Sequence, residues 1–193
     1  MRPAVFLDRD DTLIACNELP PPPPPGARGD LVDPALVRLL PGVAEGLSLL
    51  KQAGFVLVVV SNQGSVARGA ATVQVVQAVN ERVEAVLRQE LGKQLGKQPG
   101  PSAEQVIDAF YFCPFHPKGN VPEYTREHPW RKPNPGMILA AAADLQLNLS
   151  RSWMIGDAER DIEAGVNAGI DRHRTVRVGE NVSFLDATRR VLA

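Results

Sequence analysis

Strand-length apolar runs punctuate this chain, and each breaks abruptly into polar residues. Val5-Phe6-Leu7 gives way to Asp8-Arg9-Asp10-Asp11-Thr12, and Phe55-Val56-Leu57-Val58-Val59-Val60 gives way to Ser61-Asn62-Gln63-Gly64-Ser65. Val106 to Phe112 leads into Cys113 and a proline-punctuated stretch, with Asp108 an unexplained charge inside it. Ser152 to Ile155 ends in Gly156-Asp157, and Thr175 to Val178 is the last of the set. Continuous hydrophobic runs of this length predict strands buried on both faces. Between them the period changes to that of helices. Pro41 to Ala53 carries Val43, Leu47 and Leu50 on one face, with Gly54 ending it. Ala71 to Leu91 carries a stripe of Val73, Val76, Val83, Val86 and Leu87. Two more helices are expected, from Pro135 to Asp144 with Asn134 as N-cap, and from Glu159 to Ala168. A short helical turn fits Asp33-Pro34-Ala35-Leu36. Strands alternating with helices predict an α/β fold, an open parallel sheet with helices on both faces.

The length, 193 residues, suits a single domain, 1–193, with a proline-rich loop at 14–40, a loop excursion at 113–131 and no large cap. The unbroken run Pro20–Pro25 predicts stiff, extended polyproline II. Its place after the first strand suggests a rigid loop over a site mouth rather than a ligand for a partner domain. Gly92 to Ser102, rich in Gly, Lys and Gln, reads as a mobile loop.

A net charge of -1 without a basic block argues against nucleic acid as a partner. No apolar run approaches membrane-spanning length, and the N-terminus lacks the signature of a signal peptide. Cys16 and Cys113, the only cysteines, suit a reducing compartment better than a disulfide framework. A cytoplasmic monomer is the expectation.

Ligands gather at the carboxyl ends of buried parallel strands, which is where the polar clusters fall. By strand alternation Asp8 and Asp10 should project the same way and Arg9 elsewhere. Two converging carboxylates repel unless a cation or a shared proton relieves them. A charged surface turn after an edge strand is the alternative reading of this stretch.

The pattern hydrophobic-Asp8-x-Asp10-x-Thr12-hydrophobic resembles the first motif of the haloacid dehalogenase (HAD) superfamily. The spelling Leu7-Asp8-Arg9-Asp10-x-Thr12-Leu13 resembles its histidinol-phosphatase and heptose-bisphosphate phosphatase branch. The resemblance implies a Mg2+-dependent phosphomonoesterase acting through an aspartyl-phosphate, with a sugar bisphosphate or related small metabolite as substrate. Histidinol phosphate is the alternative substrate, and a non-catalytic binding protein on the same fold is the alternative of another class. Phosphate ester hydrolysis needs a nucleophile, a proton for the leaving alkoxide and positive charge around the phosphoryl oxygens. Asp8 fits the nucleophile and Asp10 the proton donor and acceptor. Asp8, Asp157 and a backbone carbonyl suffice for Mg2+, and the resemblance assigns that carbonyl to Asp10. Asp161 is expected to orient the ligands rather than bind the metal. Ser61 matches the second motif, a donor to the phosphoryl group, and Asn62, Gln63 and Gly64 resemble the substrate-facing loop that follows. Lys132 matches the charge-balancing lysine of the third motif, and Arg131 resembles a residue of substrate recognition.

Several positions depart from that branch. Asp11 stands where it usually has Gly, a turn that Asp tolerates better than most residues. Cys16-Asn17-Glu18-Leu19 replaces a polar substrate stretch, and Ala158 replaces a lysine. The branch often holds structural Zn2+ on four Cys and His positions, which here are Cys113, Phe115, His128 and Trp130, with His116 nearby. Four-coordinate zinc wants Cys or His at all four, so structural Zn2+ is expected to be absent.

Overall fold

The computed structural model describes residues 1–94 and 105–193. Five strands, β1 (Ala4–Leu7), β2 (Val56–Asn62), β3 (Ala109–Cys113), β4 (Trp153–Gly156) and β5 (Thr175–Arg177), pair in parallel in the order β3-β2-β1-β4-β5. The connections step outward from β1 to one edge and then cross to its other side. That reversal opens a crevice at the carboxyl ends of β1 and β4.

Side-chain alternation divides the sheet between two cores. Val5, Leu7, Leu57 and Val59 face one layer, and Ala4, Phe6, Val56 and Val58 the other. The first layer is covered by α1 (Val43–Gln52), α3 (Val73–Gln94) and α6 (Phe184–Leu192), whose Leu47, Leu50, Val83, Leu87 and Phe184 are buried there. The second is covered by α4 (Gly136–Asp144) and α5 (Glu159–Asn167), through Met137, Ile138, Ala141 and Ala164. Among the described residues no helix is long and apolar enough to cross a membrane.

Several boundaries differ from the sequence expectation. The third strand begins at Ala109 rather than Val106, because the N–H groups of Val106 and Ile107 donate to the buried Glu84 carboxylate (2.8 and 3.0 Å) instead of to a neighbouring strand. Asp108, unexplained in sequence, accepts from Leu57 N (2.8 Å) and Lys51 Nζ (2.8 Å), standing in for a ladder carbonyl. α3 continues to Gln94, three residues into the expected 92–102 loop. The rest of that loop lies outside the described residues. α4 starts one residue late, capped by Pro135, because the Asn134 side chain donates instead to His128 O (3.2 Å). The proline run is not one straight rod. The Pro24-Pro25 bond is cis, and Gly26 N closes a turn on Pro23 O (2.9 Å). Two helices carried no prior expectation, α2 (Gly64–Arg68) and α6. α6 opens on a Ser183–Asp186 capping box, a signature present in the sequence.

Candidate active site

Asp8 follows β1 directly, and its main-chain N–H donates to Ile155 O of β4 (2.9 Å), which fixes the two strand ends side by side. Its carboxylate is buried and accepts from Lys132 Nζ (2.6 Å). The same ammonium donates to Val60 O (2.6 Å) and lies 2.8 Å from Asp161 Oδ1. Asp161 Oδ2 accepts from Ala158 N (3.0 Å), so the first turn of α5 orients it. Gly156 permits this approach: a Cβ there would lie 2.4 Å from Asp161 Cβ. One lysine thus joins the ends of β1 and β2 to the start of α5.

Asp8, Asp157 and Asp161 each offer a carboxylate oxygen within 4.8 Å of the others. Lys132 is the one ammonium among them, and three ionised carboxylates would leave a net charge of about −2. Burial pushes the Asp8 carboxyl up to about 7, and Asp161 and Asp10 add to the rise against the pull of Lys132. Burial, then the neighbouring Asp161, also raises Asp157. Burial opposes the Lys132 ammonium, but Asp8 and Asp161 outweigh it, and the lysine holds its proton above the ordinary range. Asp157 Oδ1 is buried without a hydrogen-bond partner. An orphaned buried oxygen beside carboxylates of raised proton affinity fits a hard divalent cation with oxygen ligands.

Asp10 faces a different set of partners. Arg9 is fully buried, and its Nε donates to Asp10 Oδ1 (2.9 Å) while Nη1 donates to Asn80 Oδ1 of α3 (2.8 Å). Arg9 therefore curls back to the carboxylate beside it, where strand alternation predicts divergence. The alternation ends with β1 at Leu7. Gln63 Nε2 donates to Asp10 Oδ2 (2.7 Å) and to Ser61 Oγ (2.7 Å), and Cys16 Sγ donates to Asp10 Oδ1 (3.3 Å). Burial works against the Asp10 charge, but Arg9 and these hydrogen bonds hold its carboxyl below the ordinary range. Burial, then the Asp10 charge, pushes the Cys16 thiol upward, which leaves it an inert donor.

The second-motif residues brace as well as face the site. Asn62 Oδ1 accepts from Lys132 N (2.9 Å) while its Nδ2 donates to Lys132 O (3.0 Å), holding the Lys132-Pro133 bend in place. Asn62, Gln63 and Gly64 line a cavity of about 380 Å³ with Asp10, Asp157 and Arg131. Ser61, Asp8 and Lys132 lie buried behind them. All the sequence-predicted site residues therefore converge on one place.

The sequence reading missed the far wall of that cavity, made by Asn17, Arg28, Gly29, Asp30, Arg68 and Arg160. Asn17 before the prolines and Arg28, Gly29 and Asp30 after them come from the proline-rich loop, while α2 supplies Arg68 and α5 supplies Arg160. Asp11 has a φ of 56°, and its Oδ1 accepts from Cys16 N and Asn17 N (2.9 Å each), which turns the chain into the loop. Asp30 closes the other end by an ion pair with Arg68 of α2.

Three of the four zinc positions of the excursion, Phe115, His128 and Trp130, form an aromatic cluster. The Phe115 ring lies on His128 (4.1 Å) with the Arg126 guanidinium 4.2 Å from its centroid, and Trp130 meets Tyr111 edge-on (6.0 Å). His116 Nδ1 and His128 Nδ1 accept from Lys118 N (3.0 Å) and Trp130 N (3.1 Å).

The HAD-hydrolase-like family model matches residues 129–182, the stretch holding Arg131, Lys132, Asp157 and Asp161. The D-glycero-D-manno-heptose-1,7-bisphosphate 7-phosphatase of Thermosynechococcus vestitus is 40% identical over 171 residues, 87% of this chain and 76% of that one. The chain belongs to the heptose-bisphosphate phosphatase family of HAD-like hydrolases. The Escherichia coli K12 member, D-glycero-beta-D-manno-heptose-1,7-bisphosphate 7-phosphatase, is 31% identical over 94% of this chain and 82% of its own length. Among solved structures, an HAD-like phosphatase from Mesorhizobium loti superposes with a TM-score of 0.76 at 30% identity, over 98% of this chain and 86% of the other. A D,D-heptose 1.7-bisphosphate phosphatase from B. bronchiseptica, complexed with magnesium and phosphate, shares the fold with a TM-score of 0.68 at 22% identity. As a family member the chain is a phosphatase on a Rossmann-like α/β fold.

Proposed function

We propose that this phosphatase removes the 7-phosphate of a D-glycero-D-manno-heptose 1,7-bisphosphate, working as one cytoplasmic domain in sugar metabolism. The observation that carries the reading is a buried carboxylate, Asp8, hydrogen-bonded to Lys132 and grouped with Asp157 and Asp161 behind an arginine-lined cavity. The relatives' names supply the substrate.

Asp8 attacks phosphorus and forms an aspartyl-phosphate, which water then hydrolyses. Asp10 gives a proton to the departing sugar oxygen and takes one from that water. Lys132 keeps Asp8 oriented and offsets its charge, Ser61 donates to the phosphoryl group, and Asn62, Gln63, Gly64 and Arg131 face the substrate. Asp8, Asp157 and the Asp10 main-chain carbonyl would hold Mg2+, with Asp161 orienting them. Mg2+ supplies charge neutralisation of the phosphoryl oxygens when bound.

The test is kcat/KM, with Mg2+, for the heptose bisphosphate, simple sugar monophosphates and histidinol phosphate. The heptose bisphosphate should lead the panel. A clear preference for histidinol phosphate would reassign the substrate.

A further inference from the structure

A buried guanidinium is costly unless its nitrogens find acceptors. Arg9 is fully buried and finds three: Nε donates to Asp10 Oδ1 (2.9 Å), Nη2 to Asp10 Oδ2 (3.2 Å) and Nη1 to Asn80 Oδ1 (2.8 Å). Asn80 in turn breaks the pattern of its helix. It is buried on α3 four residues after Val76 and three before Val83, on a face where an unpartnered amide would be costly. The two polar groups offset each other's burial. Neither lines the cavity that Asp10 reaches, so both stand behind the acid–base carboxylate.

The last torsion of an aspartate is broad and roughly two-fold, so a carboxylate beyond a strand end does not hold its own plane. Two parallel N–H donors, one on each oxygen, do hold it. The other partners of Asp10 do less. Gln63 Nε2 divides itself between Asp10 Oδ2 and Ser61 Oγ, and Cys16 Sγ reaches only Oδ1 (3.3 Å). Among the described residues Arg9 is the one side chain that donates to both oxygens, and Asn80 ties it to a helix packed on the sheet.

We infer that Arg9, anchored by Asn80, is a positioning residue that holds the Asp10 carboxylate in the orientation from which it serves the leaving sugar oxygen and then the attacking water. The inference rests on the acid–base role proposed for Asp10 and adds Arg9 and Asn80 to it. One orientation suffices for both steps, because in-line displacement puts the leaving oxygen and the entering water on the same side of phosphorus in turn. Misplacing a reacting group by about 1 Å can cost on the order of a hundredfold in rate.

The full chain, with Mg2+, is assayed by kcat/KM on the heptose bisphosphate and on 4-nitrophenyl phosphate. A sugar alkoxide needs a proton as it departs, whereas 4-nitrophenolate leaves without one, and kcat/KM covers only the steps up to that departure. Asp10→Asn sets the pattern and should lower the sugar value far more than the aryl value. Arg9→Lys keeps the charge but cannot fork, and Asn80→Ala removes the anchor while leaving Arg9 in place. Both should lower the sugar value by about tenfold to a hundredfold and the aryl value by less than about threefold. Asn80→Asp, which keeps an oxygen for Arg9, should recover most of the loss. Thermal denaturation identifies the folded variants, and the two Asn80 variants carry the test if Arg9→Lys does not fold. Where Asp10→Asn separates the two substrates, equal losses on both, or none, in the Arg9 and Asn80 variants overturn the positioning role and leave the proposed function standing. Equal losses on both substrates in Asp10→Asn overturn the acid–base assignment and the positioning role with it.

Discussion

Asp11 shows how one residue can carry two opposing terms. A φ of 56° costs an L-residue backbone energy that glycine would not incur. Against that, its carboxylate accepts two main-chain N–H groups, Cys16 and Asn17, that glycine would leave unpaired. Hydrogen bonds to a charged group contribute about 1.5–3 kcal/mol each, more than the roughly 1–2 kcal/mol of a left-handed conformation. Asp11→Gly should therefore destabilise the protein by at least about 1 kcal/mol and loosen the loop, read as a lower denaturation midpoint and a raised KM. Unchanged stability and KM would show that the loop does not depend on Asp11. Asp8 and Asp157 were legible because each directly follows a strand-length apolar run, and Lys132 only through the resemblance of Arg131-Lys132-Pro133 to a family motif. The Arg9–Asn80 and Arg68–Asp30 partnerships were not, because their members lie 71 and 38 positions apart and only the fold joins them.

At the scale of elements, the excursion after β3 is held by ring packing at positions where two metal-ligating residue types are missing. Phe115 lies between His128, Tyr124 and Arg126. Phe115→Ala should cost about 1–2 kcal/mol of stability, the scale of an aromatic contact plus part of its burial. A chelator added to Mg2+-free protein should leave its unfolding curve unmoved, and elemental analysis of the purified protein should find no zinc. One tightly held zinc per chain would contradict this. Strand cores were readable from their unbroken apolar runs, but the start of β3 was not. Glu84 and Asp108 replace ladder partners with side-chain carboxylates, a substitution that periodicity does not register. The proline run was misread for a related reason, since composition alone does not distinguish a straight run from one turned at Pro23–Gly26.

Across the whole molecule, alternating strands and helices announced the parallel sheet, and the order β3-β2-β1-β4-β5 then brings Asp8 and Asp157 together from adjacent strands. The resulting carboxylate cluster ties stability to pH. In the metal-free fold the Asp8 carboxyl lies at about 7, against an ordinary value of 3.8. A group that holds its proton more tightly when folded contributes stability fully below its unfolded value and loses it as pH rises through the folded one. The contribution therefore fades between about pH 4 and pH 7, and the raised carboxyl of Asp157 acts in the same direction. A bound cation replaces the proton. Mg2+ should raise the Tm more at pH 8 than at pH 5; an equal or larger rise at pH 5 would contradict the assignment of the cluster to the metal.

Covalent catalysis by Asp8 is the central claim, and chemical trapping at that residue tests it most directly. The protein is mixed with Mg2+ and the heptose bisphosphate, quenched with borohydride during turnover, and mapped by peptide mass. Reduction of an aspartyl-phosphate leaves homoserine, so position 8 should carry that mass change in the parent. Asp8→Asn should show neither the mass change nor turnover above background. Substantial Mg2+-dependent hydrolysis by Asp8→Asn, or trapping at a different residue, would contradict the account.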